Sequence, residues 1–140
     1  MKRCSYSILI LCLALTTVAF PQDKTDKTQA AEQAAADWLK LVDFDAYARS
    51  WKQASITFKA AVTEGNFEQA LRATRAPLGA VLSRERKSVE YRRQLPGVPE
   101  GEYALLKYDT DFEHKKKALE TVTMALEKDG HWRAAGYSIK

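Results

Sequence analysis

Cysteine and histidine are scarce: the chain of 140 residues has two of each. Cys4 and Cys12 lie near its start, so the rest of the chain offers no disulfide, thiol nucleophile or thiolate metal ligand. His114 and His131 are too far apart in sequence for the usual zinc-ligand spacing. A glycine-rich phosphate loop and a G-x-S-x-G motif are also missing. These absences exclude the common motifs of zinc, thiol, serine-hydrolase and nucleotide-dependent enzymes.

Charge of one sign is not in large excess. The 22 Lys and Arg residues stand against 18 Asp and Glu residues, which gives a formal net charge of +4. Apolar residues make up 46% of the chain and charged residues 29%, as in an ordinary globular protein. The length fits one domain. We therefore expect a single globular domain without a nucleic-acid partner.

The N-terminal residues have the pattern of a secretory signal peptide. A short positive start at residues 1–3 is followed by an apolar run at residues 6–19. The run is shorter than the roughly 20 residues that a membrane-spanning helix needs, and Ala19 ends it with a small residue suited to cleavage. We predict a signal peptide at residues 1–19, cleaved after Ala19, and a periplasmic or secreted protein.

Cleavage would change the charge and the cysteine content of the chain. It would leave 140 − 19 = 121 residues with a net charge of 20 − 18 = +2 and no cysteine. No stable membrane span is expected after cleavage. Two alternatives remain open: lipid attachment at Cys12, which the bulky Leu11 before it disfavours, and an uncleaved anchor.

The mature chain begins with a polar segment and continues as helices. Residues 20–30 are predicted to be a flexible linker, because residues 22–29 contain no apolar side chain. A single domain is predicted over residues 31–140. Its first helix is expected over residues 30–42, where alanine, tryptophan and leucine recur at helical spacing.

Two further helices are predicted before the first strand. Apolar residues spaced three or four apart over residues 44–62 predict one helix of about five turns. A shorter helix is predicted over residues 67–76. The expected cap and stop residues are Asp43 or Asp45 and Gly65 for the longer helix, and Asn66 with Gln69, then Pro77, for the shorter one.

After Gly79 the pattern changes to strands. Apolar and polar residues alternate over residues 88–95, and the turn-rich segment 95–101 follows. Three more strands are predicted over residues 103–109, 119–127 and 131–139.

The last two strands are predicted to form a hairpin. Asp129 and Gly130 suit a two-residue turn, because both positions of that turn require positive φ. Counting outward pairs Val122 with Tyr137 and Met124 with Ala135. The resulting core face has Glu120 and Arg133 at its two ends, and its apolar members are Val122, Met124, Leu126, Ala135, Tyr137 and Ile139.

Helices followed by strands predict an α+β fold, with N-terminal helices packed on a curved four-stranded antiparallel sheet. Such an arrangement is expected to form a cone, which often encloses a cavity.

Several short motifs give the chain a family resemblance from about Trp38 to the C-terminus. The motifs are R-A-P-L-G at 75–79, S-R at 83–84, L-P-G at 95–97, G-E-Y at 101–103, Y-D-T at 108–110 with Phe112, E-T-V-T at 120–123, D-G-H-W-R at 129–133 and G-Y at 136–137. With them the chain resembles the uncharacterised bacterial exported family known as domain of unknown function 4019. The resemblance implies export and a cone of the nuclear-transport-factor-2-like or cystatin-like kind. It implies no activity, because the family has no assigned catalytic residues.

Glu120 is the main candidate for chemistry, because its place on the predicted core face would desolvate it and make it a general acid or base. It could instead simply pair with an arginine, and Arg75 and Arg84 could bind an anion or form a salt bridge with Glu90 or Glu120. The candidate ligand-binding residues are Arg75, Arg84, Tyr91, Tyr108, Glu120 and Tyr137. The carboxylates at 109, 111 and 113 lack the pattern of a calcium loop, so no metal or cofactor is expected.

Three functions follow from these features. The sequence favours a non-enzymatic module that binds a small ligand or another protein. One alternative is a small enzyme that uses Glu120 as acid or base. The other is a structural homodimer through the small-residue hairpin face, formed by Thr121, Thr123, Ala125, Gly136 and Ser138.

Overall fold

Helices precede strands along the chain, which confirms the α+β class. The computed structural model describes residues 22–140. The predicted signal peptide at residues 1–19 therefore lies outside the described residues. The elements are α1 (Gln22–Asp43), α2 (Tyr47–Lys52), α3 (Ile56–Ala61), α4 (Glu64–Arg75), a 3-10 turn (Ala76–Leu78), β1 (Val81–Arg92), β2 (Glu102–Phe112), β3 (Ala118–Leu126) and β4 (Trp132–Ile139).

Helix α1 confirms the first predicted helix but is longer than expected. Residues 22–30 form its first turns, so the prediction of a flexible linker is wrong for them. The segment is polar but contains no glycine or proline, and it continues the helix from the alanine-rich stretch. Lys27 ties it to β2 through an ion pair with Glu102 at 3.2 Å. The buried stripe of α1 consists of Ala31, Ala35, Trp38, Leu39 and Val42.

The single helix predicted over residues 44–62 is wrong, because the chain breaks there into α2 and α3. Ser55 causes the break: its backbone N–H donates to the carbonyl of Ala134 in β4 at 2.8 Å. Its side chain caps α3 by accepting from the N–H of Phe58 at 3.2 Å. Phe44, placed on the buried stripe by the helical pattern, is 82% exposed.

The predicted caps are also wrong, although the shorter helix itself is confirmed as α4. Thr63 caps α4 by accepting from the N–H of Asn66 at 3.3 Å. Gly65 therefore lies in the first turn of α4 and ends no helix. Ala46 precedes α2 without a side-chain cap, while Asp45 adopts a positive φ of 58° in the turn after α1. Helix α4 ends at Arg75, just before Pro77, as expected from the missing proline N–H.

The four strands form one antiparallel sheet in the order β1-β2-β3-β4, which confirms the predicted arrangement. Its inner face packs against α1, and the Trp38 and Tyr137 rings meet edge to face at 5.4 Å. Trp38 also donates its indole N–H to the carbonyl of Ser50 at 2.9 Å. Large side chains thus fill the layer between helix and sheet. Its strand members include Leu106, Tyr108, Val122, Met124 and Trp132.

The β3–β4 hairpin differs from the prediction at its tip. The loop has three residues, 128–130, because the Glu127 N–H donates to the carbonyl of His131 at 3.0 Å. Gly130 closes the loop with a φ of 81°, as in a type I turn followed by a left-handed residue. Ala135 is then the extra residue of a bulge, and on the side of the bulge away from the turn residues 120–123 pair with residues 136–139 in the predicted register.

The bulge decides which residues of β4 face the core. Val122 pairs with Tyr137 and Glu120 with Ile139, as predicted. Nearer the tip, Met124 lies opposite Ala134, so Ala134 and Trp132 are buried where Ala135 and Arg133 had been expected. Within residues 22–140, no helix is long and apolar enough to cross a membrane.

Candidate functional site

Glu120 lies on the inner face of β3 and is completely buried. Its Oε2 accepts from Arg84 Nε at 2.6 Å and from the Thr110 hydroxyl at 2.9 Å. Its Oε1 accepts from Arg84 Nη2 at 3.2 Å and from the Tyr137 hydroxyl. Arg75 Nη1 stands 3.5 Å from the same oxygen. Both carboxylate oxygens are therefore saturated by donors from the protein.

Asp43 is the second carboxylate of this cluster and the last residue of α1. Its Oδ2 accepts from Arg84 Nη1 at 2.7 Å, and its Oδ1 accepts from Arg84 Nη2 at 2.9 Å. Arg75 Nη2 also donates to Oδ1 at 2.9 Å. The side chain of Asp43 is 22% exposed, so it connects the cluster to solvent.

Six residues form what we call the buried ion network, and each strand contributes one of them. Two arginines and two carboxylates make the cluster electrically neutral. Charge-assisted hydrogen bonds of this kind offset the cost of burying ionised groups, provided that every charge keeps its partner. The members are Asp43 from α1, Arg75 from α4, Arg84 from β1, Thr110 from β2, Glu120 from β3 and Tyr137 from β4.

The protonation of the network is fixed by these contacts. Burial lowers the pKa of Arg84, but hydrogen bonds to Asp43 and Glu120 outweigh it and leave the pKa above its ordinary value. The pKa of Arg75 is likewise raised on balance, because Tyr137 and Asp43 more than offset its burial. Burial, followed by the Glu120 charge, raises the pKa of Tyr137, which stays protonated as a donor. The two arginines therefore stay charged, and the hydroxyl groups of Thr110 and Tyr137 both donate to Glu120.

Arg75 has one polar atom that the network leaves unused. Its guanidinium lies over the Phe112 ring, 4.9 Å from the centroid. Its Nε is buried and has no hydrogen-bond partner among the described residues. Stacking on an aromatic face compensates part of that cost, because the ring attracts the cation.

The structure brings together four of the six predicted site residues: Arg75, Arg84, Glu120 and Tyr137. Tyr108 lies directly opposite Glu120 in the β2–β3 register, and burial raises its pKa to about 12. Within residues 22–140, the Tyr108 hydroxyl donates no hydrogen bond to a member of the network.

Tyr91 belongs to a different part of the sheet. Its ring packs edge to face against Trp132 at 6.5 Å, and its hydroxyl bonds Glu102. Burial, followed by this bond, raises the pKa of the Tyr91 hydroxyl. The six predicted residues therefore do not form one site.

Asp43 and Thr110 are members that sequence reasoning missed. The inward orientation of Thr110 could have been predicted, because alternation along β2 places it on the same face as Leu106 and Tyr108. Asp43 was singled out only as a helix cap. Its actual role requires α1, α4 and β1 to converge, and no local pattern encodes that convergence.

One surface depression reaches the buried ion network. It has a volume of about 370 Å³ and is lined by polar side chains that largely bond one another. The Asp45 carboxylate accepts from the Tyr47 hydroxyl at 2.6 Å, and Arg72 lies over the Tyr47 ring at 5.4 Å. Burial raises the pKa of Tyr47 to about 12, with the bond to Asp45 adding to it. Asp43 and Arg75 form its inner wall.

The acidic segment at residues 109–113 brings no metal ligands together. Asp111 accepts from the N–H of Lys117 at 2.8 Å, and Glu113 accepts from the N–H of Ala80 at 2.8 Å. Asp109 pairs with Lys87 at 3.1 Å. Within residues 22–140, no group of three carboxylate, imidazole or thiolate side chains could hold a metal ion.

A second concave surface lies at the opposite end of the sheet, and we call it the hairpin groove. It has a volume of about 620 Å³ and lies between the start of α3, the loop before β2 and the β3–β4 turn. Its lining residues are Ile56, Thr57, Glu100, Gly101, Glu102, Tyr103, Ala125, Leu126, Glu127, Lys128 and Asp129.

The fold and the network define an α+β domain whose helix ends are joined to its sheet by a buried ion cluster. The chain belongs to the family described as protein of unknown function DUF4019, which matches residues 34–137. This match confirms the resemblance expected from the sequence motifs. No curated protein and no solved structure matches the chain.

Proposed function

We propose that the protein is an exported, non-enzymatic binding module that holds a segment of another protein on its surface. One observation carries this proposal: the buried ion network surrounds Glu120 and leaves neither of its oxygens free for a ligand. A ligand inside the helix–sheet layer would have to displace packed aromatic rings. Binding at the surface requires no such displacement.

Catalysis by Glu120 is disfavoured by its surroundings. A general acid or base must come within hydrogen-bond reach of the reacting group. Glu120 is completely buried, and both of its oxygens already accept protein donors. The depression that reaches the network is lined by Asp43 and Arg75 and does not include Glu120. The arrangement suits a structural ion cluster better than a reactive carboxylate.

A structural homodimer is the second candidate. Thr121 pairs with Ser138 and Thr123 with Gly136 on the sheet face opposite to the one that packs on α1. Small side chains let two sheets approach closely. Light scattering at roughly tens of micromolar protein tests the homodimer, because a weak dimer forms only at sufficient protein concentration. A monomer there contradicts this candidate.

Export rests on the sequence alone, and the mature N-terminus tests it. Mass spectrometry of the protein isolated from its own cells is expected to find a chain that starts at Phe20. A chain that keeps Cys12 would contradict cleavage.

Binding is tested by titrating the isotope-labelled protein with short peptides of neutral, cationic and anionic composition. We expect at least one class to shift backbone amide resonances of one contiguous surface, while mass spectrometry finds every peptide unchanged. Turnover of a peptide would contradict the non-enzymatic part of the proposal. A panel that shifts no resonance anywhere would contradict the binding part.

A further inference from the structure

The hairpin groove combines an apolar surface with a fixed shape. Ile56 is 70% exposed at its edge, and its backbone N–H donates to Glu127 Oε1 at 2.6 Å. The Tyr103 ring forms part of the floor and would meet a Cβ on Gly101 at 3.4 Å. Its hydroxyl donates to the carbonyl of Pro99 at 2.7 Å, which fixes the loop before β2. A surface that is already formed loses little entropy when a partner binds.

The groove is also acidic on a chain that is basic overall. Its lining carries four carboxylates, at positions 100, 102, 127 and 129, and one ammonium, Lys128. Lys27 pairs with Glu102, and Arg133 is shared by Glu127 and Asp129 and cannot neutralise both. Within the described residues, no ion pair or hydrogen bond involves the Glu100 carboxylate. The four carboxylates therefore exceed the three nearby cations by one charge, and the excess lies at Glu100, while the whole chain has a formal net charge of +4.

Resting on the proposed function, we infer that the hairpin groove binds an extended peptide segment in which Lys or Arg side chains flank large apolar residues. The apolar side chains would cover Ile56, which is 70% exposed, and remove its surface from water, while the buried Tyr103 ring supports them from below. The cationic side chains would face Glu100 and the other carboxylates of the rim. A polypeptide presents both kinds of side chain within a few residues, so it can contact the apolar and the acidic parts of the lining at once.

The network and the groove are far enough apart to be tested separately. Glu120 and Leu126 are six residues apart on β3, which corresponds to about 20 Å. Surface variants in the groove should therefore leave the buried ion network and the fold intact.

The test uses three capped heptapeptides and isothermal titration. One alternates Lys and Leu, the second alternates Glu and Leu, and the third alternates Lys and Ser. We expect the Lys–Leu peptide to bind at least about tenfold more tightly than either control, since only it satisfies both the charge and the apolar surface. Raising the salt from about 50 mM to about 500 mM should weaken its binding.

Matched variants locate the binding site. Ile56→Ser and Glu100→Lys are each expected to weaken Lys–Leu binding by about three- to tenfold, because one loses apolar contact and the other gains repulsion. Phe44→Ser and Glu85→Lys make the same chemical changes on exposed residues outside the groove and should leave it unchanged.

The outcomes separate this inference from the proposed function. Tighter binding of the Glu–Leu peptide, or Lys–Leu binding that ignores Ile56→Ser and Glu100→Lys, would overturn the inference and leave a binding module with another site or partner. Amide shifts of groove residues that depend on protein concentration without peptide would assign the groove to a second copy and would also overturn it. A protein that binds none of the three peptides overturns the inference, while the wider peptide panel still judges the proposed function.

Discussion

Replacing Glu120 by glutamine removes one negative charge from the buried ion network and keeps the size of the side chain. Arg75 and Arg84 would then share Asp43 as their only anion, so one buried cation would lose its partner. The new amide would also place an NH2 group where Glu120 now accepts from Arg84 and Thr110 or from Tyr137. Glu120→Gln is therefore expected to destabilise the native state.

The expected cost is large for a single substitution. Removing one partner of a buried ion pair costs about 3–5 kcal/mol. The Arg84 side chain is 16% exposed, so water can stabilise part of the unbalanced positive charge and favours the lower end of that range. We expect a loss of about 3 kcal/mol in the free energy of unfolding, which lowers Tm by roughly 12 °C for a domain of this size.

Urea unfolding followed by tryptophan fluorescence measures the loss. Glu85→Gln makes the same substitution on an exposed residue of β1 and should stay within about 0.5 kcal/mol of the parent. Combining Glu120→Gln with Arg84→Gln restores the charge balance, so the double variant should lose at least about 1 kcal/mol less than the sum of the single variants. A Glu120→Gln protein as stable as the Glu85→Gln control, or strict additivity in the cycle, would refute the network's role.

Two further predictions concern alkaline pH and one glycine. Tyr47 and Tyr108 keep their protons to about pH 12 in the native state but ionise near pH 10 when unfolded, so stability should be full below pH 10 and fall between about pH 10 and 12. Urea unfolding across that range checks this, and a Tyr108→Phe variant that falls as steeply would contradict it. Gly79→Ala should cost more than Gly97→Ala by about 1 kcal/mol or more, although both glycines have positive φ, because a Cβ at 79 would lie 2.4 Å from Glu113 Oε2. Equal midpoints in urea would show that the close contact has no energetic effect.

The sheet was predictable because its signals are local. Alternation over residues 88–95 predicted a strand that overlaps β1, and the turn signal at Asp129 and Gly130 predicted the β3–β4 hairpin. The predicted pairing of residues 120–123 with residues 136–139 was correct. A salt bridge between Glu120 and an arginine was one of the alternatives that the sequence left open, since a carboxylate on a core face needs a cation; the structure pairs Glu120 with Arg84.

The breaks in the helices were not predictable in the same way. Ser55 ends the helical run because it bonds Ala134, which lies 79 positions later in the chain. Asp129 and Gly130 fit a two-residue turn as well as the end of a three-residue loop, and only the pairing of Glu127 with His131 decides between them. Asp43 became part of the site through two arginines on other elements. Long-range contacts decided each of these features.

The bulge at Ala135 separates the tip of the β3–β4 hairpin from the part that holds the buried ion network, so the tip can change in sequence independently. Beyond the bulge, Val122 and Tyr137 keep a register that serves the buried ion network. Before it, Glu127, Lys128 and Asp129 form one wall of the hairpin groove. A bulge can absorb a one-residue change in a loop by gaining or losing its extra residue. An insertion or substitution at the tip of this hairpin would therefore reshape the groove while the residues around Glu120 stay in place.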